Sequence, residues 1–298
     1  MTSPASIKGQ LQHRAIKLGR TFQDVLTLYG LERVLFRIFI SPYRHHFVLK
    51  GGILLYAIFE GRFSRSTADV DLLGSGVPND IGQMRRIFEH IMRIEYPLDG
   101  ICFDLKSLRI TRITEFRNNP GVNIKMLAKL DRTAIHIHID IGFGDSVYPK
   151  IIAMEYPTLL DLSPPMIQAY SIESLIAEKF HAIIALGSTN SRMKDFYDIY
   201  ILLNTYDFSS NLLFSAIKET FLNRKTSLAT IVSLKEDMIL IPNRQKMWNA
   251  FIKSNDLKLA VPITEVAISI DNFLLPLFKN ERPVINCIWD HLACGWHK

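Results

Sequence analysis

The sequence predicts a mixed α/β chain of the α+β kind: a mixed sheet flanked by helices, followed by a mainly helical C-terminal domain. Three observations carry this. Ile135, Ile137, Ile139 and Ile141 alternate without a fault against His136, His138 and Asp140, the period of a strand with one buried face. The stretch 47–73 reads as strand, Gly51-Gly52, helix, strand. Residues 172–298 read mainly as helices, broken near Gly187–Ser191, Asn204–Ser210 and Pro242.

The elements follow in order. Residues 5–40 read as helical, with Leu28, Leu31, Val34, Leu35, Ile38 and Phe39 at spacings of three and four, until Ser41-Pro42 stops the run. Phe47-Val48-Leu49 suits a buried strand. Gly51-Gly52 opens a helix through Phe59, with Gly61 as its expected C-cap. Asp69–Leu73 is the next strand, ended by Gly74-Ser75-Gly76, and Ile81–Ile94 is a helix. Residues 101–118 and 121–130 read as short strands, with Asn118-Asn119-Pro120-Gly121 as the clearest turn. The expected domains are 1–160 and 161–298, with a loose boundary where Pro157, Pro164 and Pro165 cluster.

The chain has 298 residues, 48% hydrophobic and 21% charged, which is globular rather than disordered in composition. Ile53–Phe59 is far too short an apolar run to span a bilayer, so no membrane role is expected. The N-terminal residues lack a secretory h-region. Cys102, Cys287 and Cys294 are too few and scattered for a disulfide framework or a zinc ribbon, so the expectation is a cytoplasmic protein with reduced thiols. The net charge is +6 and uneven. Basic residues crowd 1–50 (Lys8, Arg14, Lys17, Arg20, Arg33, Arg37, Arg44, Lys50) and 106–132 (Lys106, Arg109, Arg112, Arg117, Lys125, Lys129, Arg132). Two such segments suit an anionic polymer such as RNA, or a solvated face with no partner; charge alone does not separate the two.

The candidate chemistry centres on Asp69-Val70-Asp71. Two carboxylates two apart on a strand share a face, while Val70 and Leu72 take the other. Asp140 lies on the polar face of another strand. If the strands are neighbours, three hard oxygen ligands converge, a set suited to Mg²⁺ or Mn²⁺ with phosphate oxygens in the open positions. Gly51-Gly52, between a strand and a helix, adds backbone N–H groups at a positive helix end, which can cradle phosphate. His136 and His138 beside Asp140 could bind zinc or iron, but no further His or Cys of motif spacing supports that.

The run Leu49-Lys50-Gly51-Gly52, then Arg62-Phe63-Ser64, then Thr67-Ala68-Asp69-Val70-Asp71 resembles the signature of the AbiEii/AbiGii toxin family of nucleotidyltransferases, within the polymerase-β-like nucleotidyltransferase superfamily. Tyr170–Lys179 resembles that family's helix with an Ala-Glu-Lys triplet, and Arg192–Asp198 its segment with an Arg and two Asp. The similarity covers about 45–205 well and 245–278 weakly. Gly51-Gly52-Ile53 departs from the Gly-Ser pair usual in the fold. The resemblance implies a nucleotidyltransferase fold and a toxin acting with a cognate antitoxin. It further implies transfer of a nucleotide from an NTP such as ATP to an RNA or protein hydroxyl, with loss of pyrophosphate. The basic segments favour RNA, and a tRNA 3′ end within that class. In this reading Asp69, Asp71 and Asp140 hold the metal. Lys179 contacts the triphosphate, and Asp195 is an active-site acid. Gly51, Gly52, Thr67 and Arg192 join as nucleotide contacts, and the C-terminal domain completes the site.

Several of these residues have a purely structural alternative. Lys179 projects within the stripe of Ile172, Leu175, Ile176, Phe180 and Ile183, where a lysine must snorkel, pair with an acid or face a ligand cavity. Glu178 points away and is expected to be solvated. Arg192, one turn before Asp195, can form a surface pair with it, and Asp198 is the less certain of the two acids. Thr67 is expected to support the loop before Asp69, and Asp145 to be a turn residue. Two other functions use much the same residues: a binding module without chemistry, and a metal-dependent nuclease.

Overall fold

The computed structural model describes residues 3–63, 65–113, 121–236, 243–278 and 284–298. Ser64, Arg117, the turn expected at Asn118–Pro120 and the break at Pro242 lie outside them. The chain divides into two compact units, 1–145 with 151–170, and 146–150 with 171–298.

The first unit begins with α1 (Pro4–Leu18) and α2 (Phe22–Ile40), where the sequence predicts one helical stretch. Gly19 takes a left-handed conformation (φ 62°) and sends its N–H back to Ala15 and Ile16, ending α1. Thr21 caps α2 by accepting from Asp24 N–H. A capping pair of that kind is written in Gly19 and Thr21, but the apolar spacing on either side masks it. Then come β1 (Phe47–Lys50), α3 (Gly51–Ile58), β2 (Asp69–Gly74), α4 (Ile81–Met92), β3 (Ile101–Ile113), β4 (Gly121–Leu130), β5 (Thr133–Phe143), β6 (Ile152–Glu155) and β7 (Met166–Ala169). Helix α3 ends at Phe59 rather than at Gly61, whose N–H returns to Tyr56 O.

The seven strands form one mixed sheet in the order β3-β4-β5-β2-β1-β7-β6. The β2–β5 and β1–β7 pairs are parallel and the rest antiparallel. Helices α1, α2 and α4 pack on the sheet at β4, β5 and β3. The face they cover is apolar: Ile124, Ile135, Ile137, Ile139 and Ile141 have no exposure at all. The other face carries the alternating polar residues of β4, β5 and β2.

Burial revises the reading of the first basic segment. Arg33 and Arg37 are inside α2's packed face and Lys50 is inside β1. Arg37 pairs with buried Asp99, Arg33 with Glu32 at 2.6 Å, and Lys50 with Asp145 at 2.7 Å. These three cations are internal ion pairs, so residues 1–50 do not present all their charge to a partner.

The second unit contains α5 (Ile172–Leu186), α6 (Met193–Leu203), α7 (Ser210–Asn223), α8 (Arg244–Ser254) and α9 (Ile263–Leu274). It also holds a small antiparallel sheet that the helical pattern does not announce, β8 (Phe208–Ser209), β9 (Ile288–Asp290) and β10 (Gly295–His297). Strands of two or three residues are too short to show a period. Aromatic packing fixes this sheet: Trp289 contacts Phe273 and Trp296, and its indole N–H donates to Leu203 O at 2.7 Å.

Candidate active site

Strand β2 lies between β5 and β1, and its register assembles the acids. Asp69 is level with His138, and Asp71 is level with Asp140 on one side and Lys50 on the other. The neighbour relation expected of Asp140 is therefore present. Asn123 on β4 is level with Asp140 and its Nδ2 donates to Asp140 Oδ1 at 2.6 Å. His138 Nδ1 stands 3.6 Å from Asp69 Oδ1. Val70 and Leu72, fully buried, anchor the opposite face.

The carboxylates share a face and adjacent register positions without being drawn tightly together. Among the described residues, the group whose ligand atoms all lie within 4.8 Å of one another is instead Asp207, Asp290 and His291, in the second unit. There His291 donates its backbone N–H to Asp207 Oδ1 at 3.0 Å, and its ring Nδ1 is 2.7 Å from the same oxygen. That hydrogen bond holds Asp207 below the usual carboxylate range. Asp290 Oδ1 accepts from Leu292 and Ala293 N–H. These bonds account for the cluster as a turn clamp.

Gly51 shows what the acid row is built against. It opens α3 at φ 71°, and a Cβ there would fall 2.6 Å from Asp71 Cγ. Only glycine combines that backbone with so close an approach. The N-cap residue of α3, Lys50, makes no side-chain capping bond there. An all-oxygen donor row with Asp71 seated against a helix start fits a hard divalent cation.

Two neighbours of the row were not identified from the sequence. Asp145 is not merely a turn residue but the ion-pair partner of Lys50, whose ammonium also lies over the Tyr170 ring at 5.4 Å. Arg65 is 7% exposed, with its guanidinium against the start of α3. A Cβ on Gly52 would sit 2.6 Å from Arg65 Nη2 and 3.3 Å from Thr67 Oγ1. Arg65 also donates to Ser66 O at 3.1 Å and lies over the Phe63 ring. Arg62 and Arg65 both precede the motif in a loop, where no period distinguishes a buried residue from an exposed one. Arg62 is in fact the exposed one, paired with Glu60. Thr67 Oγ1 lies 3.5 Å from Asp69 O, the position of a loop support.

In the second unit, Lys179 of α5 takes the paired option. Its Nζ is 2.6 Å from Asp198 and 3.2 Å from Asp195, both on α6. Both acids have zero exposure, which rules out the structural alternative of an exposed helix-surface pair. Arg192, just before α6, adds Nε to Asp195 at 2.7 Å. Burial works against the ionised form of Asp195, but Lys179 and Arg192 outweigh it and hold the carboxyl below its ordinary value. Its place in the first turn of α6 acts in the same direction. Glu178 is not solvated: it pairs with Arg224 of the segment after α7 at 2.8 Å.

Comparison with known proteins identifies the family and the fold. A family model described as nucleotidyl transferase AbiEii toxin of a type IV toxin–antitoxin system matches residues 33–267. The solved structure of MenT4, a nucleotidyltransferase toxin of Mycobacterium tuberculosis, is 12% identical. It aligns over 87% of this chain and 92% of its own, with a TM-score of 0.52, and so shares the fold. JHP933 of Helicobacter pylori is 15% identical over 83% of this chain and 88% of its own, with a TM-score of 0.47. No curated protein sequence matches the chain. The family match spans most of the chain and includes both charge clusters: this protein is a nucleotidyltransferase of the AbiEii toxin family of type IV toxin–antitoxin systems.

Proposed function

We propose that the chain transfers a nucleotidyl group from an NTP to the 3′ hydroxyl of an RNA, a tRNA end being the first candidate, and that this activity is the toxic one countered by a cognate antitoxin. The observation that supports it best is the register row: Asp71 level with Asp140, with Asp69 two residues along β2 on the same face, beside the start of α3. Asp69, Asp71 and Asp140 would hold Mg²⁺ or Mn²⁺. Bound there, the cation supplies charge neutralisation for the triphosphate and the leaving pyrophosphate.

The chain's own residues do the rest. The backbone N–H groups at Gly51 and Gly52 receive phosphate oxygens. The acceptor oxygen forms a bond to the α-phosphorus as the bond from that phosphorus to the β-phosphate bridging oxygen breaks, and pyrophosphate leaves. The hydroxyl proton passes to Asp140, which Asn123 orients. Lys179, Arg192 and Asp195 enter the proposal as nucleotide-binding candidates, tested by the NTP affinity of Lys179→Met.

The experiment is incubation of the purified chain with Mg²⁺, each labelled NTP in turn and total cellular RNA, followed by sequencing of RNA 3′ ends. RNA labelled by wild type and not by Asp71→Asn is expected. Label on protein alone moves the acceptor to a protein hydroxyl. Shortened RNA indicates a metal-dependent nuclease. No Mg²⁺-dependent NTP binding by calorimetry indicates a binding module.

A further inference from the structure

The polar face of the sheet carries a second pattern beside the acids. Reading across the strands at one level, Arg109 of β3 is opposite Lys125 of β4, Lys125 opposite His138 of β5, and His138 level with Asp69 of β2. Paired residues on neighbouring strands project to the same side. These four therefore form one line that runs into the acid row. At about 4.8 Å per strand, Arg109 lies roughly 14 Å from Asp69 along it.

The line is open and cationic. Arg109 and Lys125 are exposed, and His138 keeps 41% of its side chain accessible. Among the described residues Lys125 has no ion-pair partner. Arg109 Nη1 donates to the carbonyls of Lys106 and Leu108, which fixes the side chain and leaves its charge uncompensated. Two further groups on this face cancel each other: Asp104 of β3 and Lys129 of β4 stand 3.8 Å apart. His136, exposed, lies one step beyond His138 on β5. Helices α2 and α4 pack on the other face of β5 and β3, where Ile124 and Ile139 are buried. An exposed sheet face with cations leading to a phosphate-handling acid pair is complementary to a polyanion approaching end-on.

We propose that Arg109, Lys125 and His138 form a lane for the sugar-phosphate backbone of the RNA acceptor, a few nucleotides long, that delivers its 3′ end to Asp69 and Asp71. This rests on the RNA-acceptor reading above and adds where the strand lies. The contacts are to phosphates, so they position the acceptor without reading its sequence.

The test is fluorescence anisotropy of a short fluorescein-labelled single-stranded RNA with the full chain, over a range of salt concentrations. The variants are Lys125→Ala, Arg109→Ala, both together, and Lys125→Arg. Each alanine is expected to weaken binding several-fold, equally for different RNA sequences. Each should also lower the slope of log affinity against log salt by about 0.7, the double variant by about 1.4. Lys125→Arg should keep the wild-type slope, and NTP binding and the unfolding midpoint should not move in any variant. A double variant with the wild-type slope overturns the lane. If that variant still labels RNA, the RNA-acceptor reading survives the loss of the lane. If wild type neither binds nor labels RNA, both fall.

Discussion

In the first unit, Asp69 keeps 47% of its side chain exposed and shares its face with two more acids. In the second, Asp195 and Asp198 have no exposure and share Lys179, with Arg192 added at the rim. Both are clusters of acids held by regular structure. The first is open to solvent. The second is closely matched in charge and closed. A buried ion-pair cluster fixes geometry and loses heavily when one member goes. An open row of like charges is a cost to the fold and has its use when a cation and a phosphate arrive. On the proposed function, the difference separates a group that would bind cation and nucleotide from a group that holds two helices together.

The sharpest way to break the comparison is to remove one acid from each cluster. Asp198→Ala leaves Lys179 buried with one partner fewer and should lower stability by about 3–5 kcal/mol, read as a shift in the urea midpoint. A loss within the range of exposed pairs, below about 1 kcal/mol, would show that the second cluster is not a structural knot. Asp71→Asn should do the reverse. Nucleotide transfer falls on the order of 10²- to 10³-fold, while the unfolding midpoint stays or rises because a like charge has gone. An equally large loss of stability would erase the contrast.

Asn123→Ala tests whether the open row is oriented from behind. It removes the 2.6 Å donor to Asp140 and should weaken Mg²⁺ binding, followed by calorimetry with NTP present, about 10- to 100-fold. The smallest effects are in pH, and they run in opposite directions. Burial pushes Glu32 of the first unit up to about 7, against the pull of Arg33 and the Leu159 N–H. Its folded form then binds more protons than its unfolded form between about pH 4.5 and 7, so its contribution to stability declines as pH rises through that window. Asp195 is held below its ordinary value, so its contribution is full above the unfolded pKa and is lost as pH falls through the lower folded one. Unfolding monitored from pH 3 to 8, roughly the span over which both groups titrate, should show Glu32→Gln flattening the upper window and Asp195→Asn the acid limb.

Much of the first unit was legible in residue order. The alternation from Ile135 to Ile141 placed Asp140 on a polar face, and Asp69-Val70-Asp71 placed two more acids likewise. Lys179 stood out because a cation within an apolar stripe needs a partner. Other features were not legible, each for its own reason. Arg65 lies in a loop without a period. Asp145 gained its role from Lys50, ninety-five residues away in sequence. Glu178, expected in water, met Arg224 across α5 and α7. The sheet of β8, β9 and β10 is too short to pattern and depends on Trp289 finding Phe273 and Trp296.

By itself, the sequence determined which residues share a face, because strand and helix periods are local properties of the backbone. It also carried the Gly51-Gly52 and Asp69-Val70-Asp71 motif that marks the family. Only the tertiary structure decided which strands are neighbours. The parallel pairing of β2 with β5 sets Asp71 level with Asp140 and extends a line from Asp69 through His138 and Lys125 to Arg109. Packing likewise decided that Lys179 has two buried acids around it. Pairing and burial bring together residues far apart in sequence, and no local period records them.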